Sequence, residues 1–65
     1  GEFDRSIADF DAALAIDSRM AFSYYGRGLA RRGTGDNLAA GKDFETAKTI
    51  SPGVAKVVET EYGLR

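Results

Sequence analysis

GEFDRSIADFDAALAIDS at residues 1–18 returns 34 positions later as GDNLAAGKDFETAKTISP. Laid over itself at that offset, the chain shows seven identities among 31 overlapping positions: Gly1/Gly35, Asp9/Asp43, Phe10/Phe44, Ala13/Ala47, Ile16/Ile50, Ala21/Ala55 and Arg31/Arg65. Chance would supply about two, so the period marks a repeat architecture. A repeat unit of this kind cannot bury its apolar face alone and must stack on neighbours to build a continuous core.

The chain has 65 residues, enough for one small domain. A domain of this size buries only about 60% of the surface of its unfolded chain, so its stability as an isolated unit is suspect. The sequence contains neither Cys nor His. Disulfide staples, the usual zinc ligand sets and Cys-His or Ser-His nucleophile pairs are therefore unavailable, and no cofactor is expected. A net charge of -1 and a pI near 5.2 argue against a nucleic-acid footprint, which needs a clustered basic excess. No apolar run approaches a membrane span, and no basic-then-apolar leader is present. The first residue is Gly, and no complete first repeat precedes Phe3, which suggests a fragment.

With one Pro, abundant Ala and no period-2 alternation, the chain reads as helices joined by short turns. The first helix runs from about Phe3 to Ile16, with Phe3, Ile7, Phe10, Ala13 and Leu14 as an apolar stripe and Glu2 and Asp4 favouring its N-terminus. Asp17 and Ser18 end it and are expected to cap a second helix from about Met20 to Arg32. Gly33 is expected to stop that helix in a left-handed conformation. Asp36 caps a third helix ending near Thr49. Ser51 and Pro52 start a fourth, which carries Val54, Val57, Val58 and Tyr62 on one side. Such short connections make consecutive helices antiparallel neighbours.

The period, the helix-turn-helix content and the placement of small and aromatic residues resemble the tetratricopeptide repeat. Tyr24 stands at its aromatic slot, Gly28 at its small-residue slot, Ala40 and Phe44 at the A-x3-F pair of the second helix, and Pro52 at the closing proline. In the opening segment Ser6 and Phe10 take the A-x3-F slots, and Ser18 replaces the proline. Val58 and Tyr62 take the aromatic and glycine slots of the fourth helix, while Arg27 and Arg31 stand where the pattern has Leu and Tyr. The resemblance implies an all-α, right-handed solenoid fragment of antiparallel helix-turn-helix repeats. Residues 1–18 would be the second helix of a truncated repeat, 19–52 one complete repeat, and 53–65 a C-terminal solvating helix.

Nothing in the chain collects reactive groups as an enzyme would. Asp4, Asp9, Asp11, Asp43, Glu45, Glu59 and Glu61 fall between the apolar positions and read as solvated helix faces. GTGD after the second helix lacks the preceding strand and the lysine of a phosphate-binding loop, so it reads as a turn. Gly28 in YYGRG reads as helix interior kept small for packing. The charge order says more: formal charge is -4 over residues 1–18 and +4 over 19–32. Arg27 or Arg31 either pairs with acids of the preceding helix or receives an acidic peptide.

Phe22, Tyr25, Leu29 and Arg32, at spacings of three, four and three, form a second row on the second helix, turned away from Tyr24, Gly28 and Arg31. By the resemblance this row lines the concave groove that holds an extended peptide or a partner helix. The alternative is that it contacts a preceding helix or covers core. Relatives that grip a terminal carboxylate do so with Lys and Asn in the groove, and Tyr25 and Leu29 on that side here imply a different specificity. The expected function is a protein-protein interaction module. The alternative is a structural end-cap or self-association element, in which Phe3, Ile7, Phe10 and Leu14 of the first helix pair copies into a homo-oligomer.

Overall fold

The computed structural model describes residues 1–54 and 56, and these form three α-helices and no strand. They are α1 (Glu2–Ile16), α2 (Ala21–Gly33) and α3 (Asn37–Ile50). The expected all-α class is what the described residues show. Val54 and Lys56 also have helical backbone, with the Val54 N–H donating to the Ser51 carbonyl at 3.0 Å. Val57, Val58 and Tyr62 of the expected fourth helix lie outside the described residues, as do Ala55, Glu59 and Glu61.

Helix ends follow local chemistry, with two departures from expectation. Asp17 does not cap α2: its Oδ1 accepts from the Arg19 N–H at 3.0 Å, closing an Asx turn, and the N-cap is Met20 with no side-chain bond. The left-handed glycine after α2 is Gly35, at φ 90, whereas Gly33 is still helical. The Asp36 N–H donates to the Arg31 carbonyl and the Gly35 N–H to the Arg32 carbonyl, at 2.9 and 3.0 Å. That bond pair is the Schellman closure, which places its positive φ at the residue between the two turns. Asp36 then caps α3 as expected, its Oδ1 accepting from the Ala39 N–H at 3.3 Å.

α2 lies between the other two helices and packs against both, while α1 and α3 do not pack on each other. Both hairpins are antiparallel by register. The Phe3 ring sits over Gly33 and the Phe10 ring over Gly26, seven residues on along α1 and seven back along α2. Across α2 and α3, Ala21 joins Ala47 at one end while Gly28 meets Ala40 and Phe44 further along. A Cβ on Gly28 would fall 2.6 Å from Phe44 Cε1 and 3.2 Å from the Ala40 carbonyl oxygen. Only hydrogen at that position lets the ring and the helix approach so closely.

The core is thin and made of small residues. Ala21, Ala47 and Val54 form its centre, with Tyr24, Tyr25, Leu29 and Ile50 packed around it, and Ala30 and Ala40 are buried nearby. No residue of α1 is buried. Its stripe is nonetheless directed at α2: Ile7, Phe10, Ala13 and Leu14 are half-buried, leaving the edge residue Phe3 more open. The stripe is therefore not the bare face expected of it. The uncovered apolar positions at this end of the molecule are Ile16, 89% exposed, and Met20 beyond the helix.

Candidate partner-binding surface

Because α2 is flanked on two sides, its remaining surface splits into two strips of different chemistry. One strip is ionic. Arg27 donates from Nε and Nη2 to the two oxygens of Asp43 at 3.0 and 2.8 Å, and from Nη1 to Asp11 Oδ1 at 2.7 Å. Arg31 Nη1 donates to Asp43 Oδ2 at 3.0 Å. One guanidinium thus ties both flanking helices to α2, using the fork geometry that a lysine lacks. The Asp43 hydrogen bonds hold the Arg27 guanidinium well above its usual pKa; burial pulls downward, and Asp11 adds to the rise. Tyr24 lies beneath the same guanidinium, its ring centroid 5.5 Å from Cζ.

This arrangement revises two expectations. Asp43 is not a solvated carboxylate but is buried at 4% exposure, with both oxygens bonded. Arg27 reaches the preceding helix through Asp11 as expected, yet its two-point partner is on the following helix. The residues carry a signal for this: two arginines one turn apart on a helix without acids need an acid on a facing helix, and Asp43 is an identity of the internal period. Its counterpart Asp9 is exposed, since no described helix packs over that side of α1.

The second strip holds the expected row. Phe22 is 40% exposed at its start and Arg32 is exposed at its end, with Tyr25 and Leu29 half-buried between them. The structure draws Tyr25 and Arg32 onto one ring. Phe44 lies 4.9 Å from Tyr25, centroid to centroid, at a tilt of 48°, and the Arg32 guanidinium stands 5.7 Å from the centroid of the same Phe44 ring. Phe44, whose ring also covers Gly28, therefore borders this surface too. Leu29 and Tyr25 also lean on the alanine core. Among the described residues Arg32 makes no ion pair within 4.0 Å, in contrast to Arg27 and Arg31.

Chemically, the strip offers a cation held on an aromatic base beside an apolar ridge. Among the described residues no three acidic side chains gather as metal ligands would, and no helix is long and apolar enough to cross a membrane. No family model, curated protein or solved structure matches the chain.

Proposed function

We propose that this chain is a protein-interaction module rather than an enzyme, built as a fragment of a tetratricopeptide-like solenoid and taking a peptide or partner helix along Phe22, Tyr25, Leu29 and Arg32. The observation carrying the reading is that row itself: aromatic, aliphatic and guanidinium groups of the kind that anchor interfaces, with Phe22 and Arg32 at the surface and Tyr25 and Leu29 half-buried between them. The order of contacts supports the solenoid part, since each described helix packs only on its neighbours in sequence. Selection from a random peptide library tests it. The parent chain should enrich a defined set of sequences, and Phe22→Ser combined with Arg32→Ala should abolish enrichment with the circular dichroism spectrum unchanged. Enrichment that survives the double variant overturns the reading.

A second reading, self-association through the end of α1, rests on an internal comparison. Ile50 is half-buried against the core and Val54 is 4% exposed, whereas of their counterparts one repeat earlier Ile16 is 89% and Met20 38% exposed. Both copies of the sequence unit pack on α2, but the C-terminal end of the first copy is left open at Ile16.

A further inference from the structure

Among the described residues, the charges around α2 leave one cation without a carboxylate. The helix contains Arg27, Arg31 and Arg32 and no acid. Arg27 and Arg31 are balanced within the fold by Asp11 and Asp43. Arg32 is on the opposite strip, exposed, with its guanidinium over the Phe44 ring and no carboxylate partner among the described residues. A guanidinium held over an aromatic face at cation–π distance is partly ordered before any ligand arrives, which lowers the entropy lost when a carboxylate docks on its N–H groups.

We propose that the row selects peptides in which a carboxylate follows an apolar side chain, the acid docking on Arg32 and the apolar group lying against Phe22 and Leu29. This rests on the binding reading above and adds to it the chemistry of the ligand. The spacing is set by the helix: ten residues from Phe22 to Arg32 span about 15 Å at the helical rise. An extended peptide covers that distance in about four or five residues. The apolar anchor and the acid are thus separated by about four positions when the peptide lies along α2, since only even separations put both side chains on one face of an extended chain. Complementarity of charge, rather than the apolar ridge alone, fixes the direction in which the peptide runs.

Fluorescence anisotropy with two labelled decapeptides tests the proposal, one carrying a Leu followed about four positions later by an Asp in a Gly-Ser background, and the other carrying Asn in place of that Asp. The parent should bind the Asp peptide about fivefold more tightly, the range of an accessible ion pair. Arg32→Gln should reduce the Asp peptide to the level of the Asn peptide and leave the Asn peptide unchanged, while Arg32→Lys should retain part of the preference. Arg5→Gln, an exposed arginine of α1, should change neither. Equal binding of both peptides to the parent, or a preference that survives Arg32→Gln, overturns the acid selection while leaving the groove reading intact. Failure to bind either peptide overturns both.

Discussion

Asp43 and Arg27 hold the fold's most consequential polar contact. A carboxylate this buried is tolerable because two guanidiniums satisfy its oxygens, and removing one partner leaves the other charge desolvated. Asp43→Ala should therefore lower stability by about 3 to 5 kcal/mol. Urea denaturation checks this, and Asp9→Ala, its exposed counterpart, should stay within about 0.5 kcal/mol of the parent. The pH dependence has a definite sign. Arg27 has a folded pKa raised above its unfolded value, so its contribution is complete below the unfolded pKa and is lost only as pH climbs through the folded one. The stability difference between the parent and Arg27→Gln should consequently stay constant between about pH 6 and 9 in parallel melts. A difference that shrinks across that window would show that the ion pair is not what Arg27 supplies.

For the helices as elements, the decisive contacts are phenylalanine rings on glycines. Phe44→Ala should cost about 3 to 5 kcal/mol, because it removes the ring shared by Gly28, Tyr25 and Arg32. Gly28→Leu should cost about 1 to 3 kcal/mol or more by overpacking. Glycine position separates two effects cleanly. A Cβ placed on Gly41 in α3 would meet nothing within 4 Å, so Gly41→Ala should raise stability by about 1 kcal/mol through helix propensity alone. Gly28→Ala meets Phe44 and the Ala40 backbone and should lower it. Thermal melts of the two variants should move in opposite directions, and movement in the same direction would mean the ring-on-glycine contact is not tight. The repeat also differs in use between its copies: Phe44 packs on the helix before it, whereas its counterpart Phe10 packs on the helix after it.

For the molecule as a whole, three described helices arranged in sequence leave the outer end of α1 without cover. Ile16, at 89% the most exposed of the large apolar residues described, has most to gain from a second copy. Sedimentation over a concentration series should show a mass rising above the 7.0 kDa chain, and Ile16→Glu should restore the monomer. A cooperatively melting monomer at every concentration would overturn self-association.

Much of this architecture was open to reading from the residues. The period, the punctuation at Asp36, and the pairing of Gly28 with Phe44 follow from spacing and side-chain size, because helix periodicity and capping are local properties that few neighbouring residues determine. The helical class follows for the same reason. Other features required three-dimensional placement. The left-handed position moved from Gly33 to Gly35 because the Schellman hydrogen bonds, rather than the nearest glycine, decide where a helix closes. Asp9 and Asp43 are the same residue in the same repeat slot, yet one is solvated and the other buried, since only Asp43 has the two arginines of α2 beside it. The stripe of α1 and the row of α2 are both visible as patterns, but which apolar face is covered depends on which helix lies against it. Periodicity is set by covalent order along the chain; burial and ion pairing are properties of surfaces brought together across it.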